Sequence, residues 1–436
     1  MNFDESIQYL LSLGHETLAI KLGLRNTELL LNALHNPEQS FVSVQIAGTN
    51  GKGSTAVFLD SICRAAGIRT GLYTSPHLES ITERIKIAGE DISSKDFARY
   101  ATDIRQTGER LVAEGQIEAL PTFFEHVTAI ALVAFREANV DLAILETGLG
   151  GRLDSTTAAN ADICAITQIA FDHEEYLGSD LKSIAAEKAA IIRHGSQAVI
   201  AHQHPEALEV VLQRCEQVGV VPTLIGEGNS ISEIAPDGRF RVTFNTATAR
   251  YAELWLGLRG QHQIENAAVA IGLTEFLTQR LFQVSRDALV DGLANAVHQG
   301  RLELLNGKPQ LLLDGGHNPA GAETLRAFLQ DFAKRPLTLV FGALRDKRVE
   351  EIAKILFPCV DHIVLTNIQN PRSTSAESML SFAQQYSTGS VTSATTSSEA
   401  IEQALKCTRP DGMICVTGSL YLVGEVRGQL VDRIAR

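Results

Sequence analysis

The sequence of 436 residues lacks the features of several protein classes. Its six cysteines are scattered without a C-x-x-C pair, which indicates free thiols in a reducing compartment and no zinc knuckle. The 38 basic residues are outnumbered by 51 acidic ones, and the net charge of -13 argues against a nucleic-acid surface. The longest apolar run, AIALVAF at 129–135, is too short to span a membrane. Since MNFDESIQYLL has no secretory-signal pattern, we expect a cytoplasmic protein.

Composition and length indicate a globular protein with more than one domain. The chain is 44% hydrophobic and 20% charged, and its length exceeds what one ordinary core accommodates. Between about residues 41 and 201, strands rich in Val, Ile and Leu alternate with helical patterns, which is typical of βαβ units in a mostly parallel sheet. The segment 238–258 instead alternates apolar and polar residues, as a hairpin or meander does.

Strand–helix alternation starts again around NAVHQGRLE at 295–303. Four strands are predicted there, within PQLLLDGGHNP, LTLVFGAL, DHIVLTNI and GMICVTGS, and the stretch YSTGSVTSATTSS is predicted as a loop, with or without a strand. The sequence therefore predicts an α/β protein of two parts. Residues 1–297 would form a P-loop-type, mostly parallel sheet flanked by helices, with a small additional β-sheet. Residues 298–436 would form a smaller, Rossmann-like α/β domain.

The segment AGTNGKGST at 47–55 resembles a phosphate-binding loop but departs from the usual pattern. G-x-x-x-x-G-K-[ST] requires glycine where this chain has Ile46, and a hydroxyl residue where it has Gly53. The segment still lies between a predicted buried strand and a helix, so that backbone N–H groups, the helix N-terminus and Lys52 converge on one anion. Three glycines around one lysine favour nucleotide binding over a plain glycine-rich turn.

The metal contact of the usual loop hydroxyl must come from Ser54 or from elsewhere. Ligands of open α/β sheets gather at the carboxyl ends of strands, where Ser75, Glu146 and His173 are predicted to lie. Mg²⁺ prefers oxygen ligands, which suits Ser75 and Glu146 better than His173. Each residue alone has a plain alternative role in a turn or at a solvated strand end. Their shared edge is what favours a metal site.

Lys188 lies within the apolar stripe of a helix predicted over 180–195, on the face of Leu181, Ile184 and Ala185. On spacing alone, a lysine that extends along the helix edge to solvent is favoured. The alternative is a buried lysine with a lowered pKa that is able to act chemically.

The segment DGGHNP at 314–319 has a structural and a functional interpretation. Asn318 would cap a helix and Pro319 would occupy its first turn. Asp314, however, follows a strand at its carboxyl end, and His317 is able to donate to a phosphate or carboxylate. Spacing alone does not decide between the two interpretations.

Seven motifs in a fixed order resemble one known family. They are AGTNGKGST, YTSPHL…ERI, ILETGLGGRLD, DHEEYLG, EKAAIIR, DGGHNP and VTGSLYLVGEVR, and they extend over essentially the whole chain. Together they resemble the folylpolyglutamate synthase/dihydrofolate synthase proteins of the Mur ligase superfamily. The resemblance implies a monomeric, ATP- and Mg²⁺-dependent ligase that joins L-glutamate to the γ-carboxylate of a reduced folate through an acyl phosphate. It also allows dihydropteroate as a second acceptor.

The resemblance also implies roles for individual residues. Those implied to bind ATP are Thr49, Asn50, Gly51, Lys52, Gly53, Ser54, Asn266, Arg301 and Asp314. Those implied to bind two Mg²⁺ ions are Ser75, Glu146 and His173, with Lys188 as a carbamate beside the second ion. Those implied to hold the pterin end of the folate are Leu22, Thr122, Phe123, Phe124 and Leu153. His317 and Ser419 would contact the incoming glutamate, and the implied catalytic set is Lys52, Lys188 and His317.

Three positions depart from the family pattern, and two other enzyme classes are alternatives. Gly316 stands where the family often has Ala, DHEEYLG varies a segment often written with Thr and Trp, and Lys21 replaces an acid of some bifunctional members, which bears on dihydropteroate use. A peptidoglycan-type Mur ligase would use the same chemistry, but GLGGRLD together with DHEEYLG favours the folate branch. A P-loop kinase or ATPase that forms no amide would not need a second domain with its own Asp and His.

Overall fold

The computed structural model describes residues 1–14, 23–226 and 228–434. Its largest sheet has eight strands, which are β1 (Val42–Ala47), β2 (Thr70–Tyr73), β3 (Ile85–Ile87), β4 (Glu90–Asp91), β5 (Leu142–Glu146), β6 (Ile163–Ile166), β7 (Gln197–Ile200) and β8 (Thr223–Leu224). Their order is β4-β3-β2-β5-β1-β6-β7-β8. The pairs from β2 to β8 are parallel, and β3 and β4 add an antiparallel edge. The central strand VSVQIA is almost entirely buried, as its apolar run predicts.

Two further sheets follow along the chain. The second is a three-stranded antiparallel sheet of β9 (Ser230–Ile234), β10 (Phe240–Asn245) and β11 (Arg250–Trp255). The third contains β12 (Glu303–Leu305), β13 (Gln310–Leu313), β14 (Leu337–Phe341), β15 (His362–Thr366), β16 (Ser390–Ala394) and β17 (Met413–Thr417). Its order is β12-β13-β17-β14-β15-β16, and all its pairs are parallel except the one between β12 and β13.

Helices cover the faces of the sheets. They are α1 (Phe3–Ser12), α2 (Arg25–Ala33), α3 (Lys52–Ala65), α4 (Ser94–Ala113), α5 (Phe123–Glu137), α6 (Glu174–Leu177), α7 (Leu181–Ala189), α8 (Pro205–Val218), α9 (Gln263–Arg280), α10 (Arg286–Ala294), α11 (Pro319–Phe332), α12 (Val349–Leu356), α13 (Ala376–Tyr386), α14 (Ser397–Cys407) and α15 (Leu420–Ile434). Within the described ranges, none of them is long and apolar enough to cross a membrane.

Each of the two large sheets has a hydrophobic core on both of its faces. One core lies between the first sheet, α3, α9 and the second sheet, and it contains Phe58 and Val242. Another lies on the opposite face under α4 and α5, and it contains Phe97 and Phe135. The third sheet has a core on each side as well. Because helices occupy both faces, the open surface of each sheet is its carboxyl edge, where loops meet ligands in such folds.

The structure confirms the predicted fold class and corrects several elements. The hairpin predicted over 238–258 is formed by β10 and β11, but β9 was not predicted. The third sheet adds two strands to the four predicted ones: β12 is a short edge strand that was not predicted, and β16 lies inside the Ser/Thr-rich stretch, for which a strand was one of the two alternatives. The helix predicted over 180–195 ends at Ala189. The domain boundary near residue 298 stays a prediction.

Candidate active site

The carboxyl edges of the first and third sheets face one another across two adjoining cavities. The loop cavity, of about 190 Å³, is lined by residues 48–54 together with residues that follow strands of both sheets. The apolar cavity, of about 240 Å³, lies beside α5 and contains Phe123, Phe124 and Leu153 in its wall. Ser75, His173 and other side chains border both cavities, so the two cavities adjoin at these residues.

The loop between β1 and α3 has the backbone of an anion-binding turn. Gly51 has a φ of 89° immediately before the helix begins, a conformation that favours glycine. A Cβ on Gly48 would lie 1.9 Å from the Thr167 hydroxyl, so only glycine fits there. Lys52 Nζ donates to the backbone oxygens of Gly48 and Thr49 at 3.2 and 3.3 Å, and its charge is thereby held beside the loop.

The three residues predicted as metal ligands border the loop cavity together. The backbone N–H of Ser75 donates to Glu146 Oε2 at 3.1 Å. Burial raises the pKa of Glu146, and the charge of Lys52 opposes the shift. Burial lowers the pKa of His173 to about 3 against the opposing charge of Asp172, so the imidazole is neutral and able to act as a ligand.

Carboxylates and imidazoles line the loop cavity, but they are spread around its wall. Among the residues that the structure describes, no group of three or more His, Cys, Asp or Glu side chains is arranged to hold a metal ion. A hydroxyl, one buried carboxylate and one neutral imidazole nevertheless suit an ion that completes its shell with water and phosphate oxygens. Mg²⁺ characteristically binds in this way.

Lys188 is buried, and the solvent-extended position favoured by spacing is wrong. Its side chain passes from α7 underneath the phosphate loop, where Nζ donates to the Gly48 oxygen at 2.7 Å. Burial, with the charge of Lys52, lowers the pKa of Lys188 to about 7. The helical stripe places the lysine correctly, but only the packing of α7 against the loop decides that it stays inside.

The segment 314–319 fulfils the structural role predicted for it and also reaches the cavity. Asn318 caps α11 through the backbone N–H of Gly321, with Pro319 in the first turn. Asp314 accepts hydrogen bonds from the backbone of Leu302 and Gly316, both at 3.0 Å. Burial raises its pKa, and the nearby Arg301 opposes the shift. Asp314, His317 and Arg301 all border the loop cavity, as do Ser54 and Asn266.

The sequence analysis did not predict an ion pair that joins the first and third sheets. Asp172, next to His173, accepts a hydrogen bond from Lys347 Nζ at 2.7 Å, and His317 Nε2 lies 3.6 Å from its other oxygen. Burial opposes ionisation of Asp172, but the contacts with His317 and Lys347 outweigh it and hold the pKa of the carboxyl below its usual range. Asp172 and Lys347 each follow a predicted strand, and this position is the signal in the sequence that could have indicated the pair.

The apolar cavity contains four of the five residues predicted to hold a pterin. Thr122 caps α5 in a capping box with Glu125, which fixes the start of the helix. Phe123, Phe124 and Leu153 line the same space. Leu22 lies outside the described residues, and so does Lys21. Ser419, predicted to contact glutamate, is 2% exposed at the border of this cavity and accepts a hydrogen bond from the backbone of Tyr421.

Comparisons with known proteins agree along the whole chain. The Mur ligase middle domain matches residues 46–274, and the Mur ligase glutamate ligase domain matches residues 300–420. The dihydrofolate synthase/folylpolyglutamate synthase of Bacillus subtilis (strain 168) is 33% identical over 427 residues, with 96% of this chain and 97% of that protein covered. A probable bifunctional folylpolyglutamate synthase/dihydropteroate synthase of Halobacterium salinarum is 34% identical over 433 residues, and this chain spans 51% of its length.

Solved structures give the same result. The Mycobacterium tuberculosis folylpolyglutamate synthase complexed with ADP superposes with a TM-score of 0.91 at 32% identity, with 98% of each chain covered. E. coli FolC in complex with DHPP and ADP superposes with a TM-score of 0.88 at 29% identity, with 100% of this chain and 99% of that chain covered. The fold and the paired cavities thus define an ATP-dependent amide ligase of the Mur type. Within that class, the chain belongs to the folylpolyglutamate synthase/dihydrofolate synthase family.

Proposed function

We propose that the protein adds L-glutamate to the γ-carboxylate of a reduced folate at the expense of ATP. The observation that carries this proposal is the junction of the two cavities. An apolar cavity suited to a flat ring system opens beside a glycine-rich phosphate loop, with Ser75, His173 and His317 at the border of both. A carboxylate at the end of a ring-bearing substrate would therefore reach the terminal phosphate of a nucleotide.

The reaction has two steps. A γ-carboxylate oxygen attacks the terminal phosphorus of ATP, which forms an acyl phosphate as ADP leaves. The glutamate amine then attacks the acyl carbon, the C–O bond to phosphate breaks, and the amine loses its proton as the amide forms. Lys52 would spread the charge of the transferring phosphoryl group, and His317 and Ser419 would orient the incoming glutamate.

The remaining predicted residues hold the substrates in this proposal. Those that would bind ATP are residues 49–54 with Asn266, Arg301 and Asp314, and those that would bind the pterin end are Thr122, Phe123, Phe124 and Leu153. Ser75, Glu146 and His173 would hold Mg²⁺, as one of two ions, with carbamylated Lys188 beside the second. When bound, the ions would neutralise negative charge on the phosphates. The depressed pKa of Lys188 supports its modification, because a carbamate forms from the neutral amine.

Dihydropteroate is a second candidate acceptor. The Bacillus subtilis relative is named for both activities, and the E. coli structure contains DHPP. The test supplies ATP, Mg²⁺ and glutamate with either tetrahydrofolate or dihydropteroate, and product mass is followed for each acceptor. Glutamate addition to both acceptors would establish a bifunctional enzyme. Addition to tetrahydrofolate alone would restrict the proposal to folylpolyglutamate synthesis.

A further inference from the structure

A chain of hydrogen bonds runs from α9 across the first turn of α3. Asn266 Nδ2 donates to Gln263 Oε1 at 2.9 Å. Because the amide oxygen of Gln263 accepts this bond, the NH₂ group of the same side chain is the donor to two further partners. It lies 3.2 Å from Ser54 Oγ and 3.0 Å from His262 Nε2. The Ser54 hydroxyl in turn lies 3.2 Å from His298 Nδ1.

Counting donors and acceptors allows a direction to be assigned to each bond. Ser54 Oγ accepts from Gln263, and its single proton is assigned to His298 Nδ1, which lies within hydrogen-bond distance of the hydroxyl. Burial, with the charge of Arg301, lowers the pKa of His298 to about 3, so the ring is neutral. A neutral ring with an accepting Nδ1 has its proton on Nε2. By the same count, His262 Nε2 accepts from Gln263, and Nδ1 has the proton.

Both remaining N–H groups belong to side chains in the wall of the loop cavity. His298 and His262 line this cavity. His262 Nδ1 is buried without a hydrogen-bond partner in the described part of the chain, whereas His298 is a partly exposed side chain whose hydrogen bond to Ser54 is made by Nδ1. An unpaired buried donor costs about 1–3 kcal/mol. One such donor, together with a partly exposed imidazole in the wall of the same cavity, indicates a ligand that carries acceptor oxygens.

The His298 ring occupies the space beside the residue that follows Lys52. A Cβ on Gly53 would lie 2.9 Å from His298 Cε1, 3.3 Å from His298 Nε2 and 3.4 Å from Glu146 Oε2. The usual phosphate loop has a Ser or Thr at this position, and its hydroxyl serves the nucleotide site. In this chain a side chain would collide with the imidazole, so Gly53 leaves room for the His298 ring instead.

We infer that His298 is a phosphate-binding residue, whose Nε2–H donates to a phosphate oxygen of the bound nucleotide while the Ser54 hydroxyl fixes the required tautomer. The inference rests on the nucleotide site of the proposed function and adds a residue to it. His298 lies in the segment 295–301, between α10 and β12. Its contact with a phosphate therefore couples nucleotide binding to the connection between the first and third sheets.

The first test measures ADP affinity by titration calorimetry, without folate or glutamate. His298→Phe keeps the ring volume and removes both nitrogens, so we expect roughly ten-fold weaker ADP binding, as for a lost hydrogen bond to a charged group. The matched control is His362→Phe. His362 also pairs Nδ1 with a serine hydroxyl, that of Ser390 at 2.7 Å, but it lies at the amino end of β15 and does not line the loop cavity. Wild-type ADP affinity in a folded His298→Phe protein would overturn the inference.

The second test observes the wild-type ring directly and does not depend on the stability of that variant. Imidazole ¹⁵N spectra should contain a signal of a neutral, Nε2-protonated ring that is missing from the spectrum of His298→Gln. The Nε2–H resonance of that ring should shift when ADP is added. Ser54→Ala should increase the other tautomer. An Nδ1-protonated His298, or an Nε2–H resonance that does not shift on addition of ADP, would contradict the inference. Because neither test requires turnover, normal ADP binding without amide formation would count against the proposed function alone.

Discussion

Lys188 Nζ donates a hydrogen bond to the backbone oxygen of Gly48 at 2.7 Å, which joins α7 to the phosphate loop. The lysine is 5% exposed. Burial, with the charge of Lys52, lowers its pKa from 10.5 to about 7, so that a substantial fraction of the amine is neutral near pH 7. A neutral amine is able to add CO₂ and release a proton, and the carbamate proposed at Lys188 would replace a cationic side chain with an anionic one beside the phosphate loop.

The first prediction separates a carbamate from a cation at Lys188. Lys188→Arg keeps the positive charge but cannot form a carbamate, and we therefore expect it to be nearly as inactive as Lys188→Ala. Short carboxylic acids added to Lys188→Ala should restore part of the turnover by supplying the missing carboxylate. The measurement is the initial rate of ADP formation with saturating folate and glutamate. An active Lys188→Arg enzyme would mean that the lysine acts through its positive charge.

The second prediction concerns Glu146. Glu146→Gln keeps the shape and the contact with the Ser75 backbone but removes the charge, so we expect activity to fall by roughly two or more orders of magnitude, as for lost charge stabilisation at a phosphoryl site. The rate should be measured across a Mg²⁺ titration, because added metal compensates a weakened ligand only in part. Near-normal turnover at saturating Mg²⁺ would remove Glu146 from the metal site.

The third prediction concerns the ion pair of Asp172 and Lys347, whose side chains are 10% and 7% exposed. Removal of one partner leaves a buried charge, so Asp172→Asn and Lys347→Met should each lower the free energy of unfolding by roughly 3–5 kcal/mol, and the double variant should lose much less than their sum. The measurement is a double-mutant cycle in urea. The exposed pair of Lys182 and Glu209 is the control, with an expected coupling of about 0–1 kcal/mol. Equal coupling energies in both cycles would show that burial does not strengthen the interaction of Asp172 with Lys347.

The fourth prediction concerns the proposed division into 1–297 and 298–436. Limited proteolysis without ligands should cut between about residues 290 and 302, and ATP with folate should slow the cut. A protease that cleaves beside apolar residues is the suitable probe, because Val297 is 74% exposed. Mass spectrometry of the fragments locates the cut. Cleavage only inside the hairpin near residue 245 would mean that the boundary is misplaced.

Local patterns predicted the parts of the fold that depend on sequence neighbours. Buried runs such as VSVQIA indicated parallel strands, and strand ends indicated Ser75, Glu146, His173 and Asp314, which all line one cavity. The short edge strand β12 and the polar strand β16 had no such pattern, because edge strands need little apolar surface. Their pairing depends on the neighbouring strands of the third sheet.

Local sequence patterns could not predict contacts between residues that are far apart in the chain. Lys347 is 175 positions from Asp172, and His298 is 244 positions from Ser54, so neither pairing has a periodic signal. The burial of Lys188 has the same origin, since the helical stripe allowed a solvent-extended side chain and the contact with Gly48 of the phosphate loop, 140 positions away, has no periodic signal. Charged and polar contacts across a cleft depend on the assembled fold.

The measurement that tests the central claim most directly is the mass of the product formed from tetrahydrofolate, ATP, Mg²⁺ and L-glutamate. The account predicts a folate heavier by one glutamyl unit for each ADP released, with the new amide on the γ-carboxylate. Omission of glutamate should prevent the mass increase. ADP and phosphate formation that continues at the same rate without any amide product would contradict the ligase account and favour a kinase or ATPase.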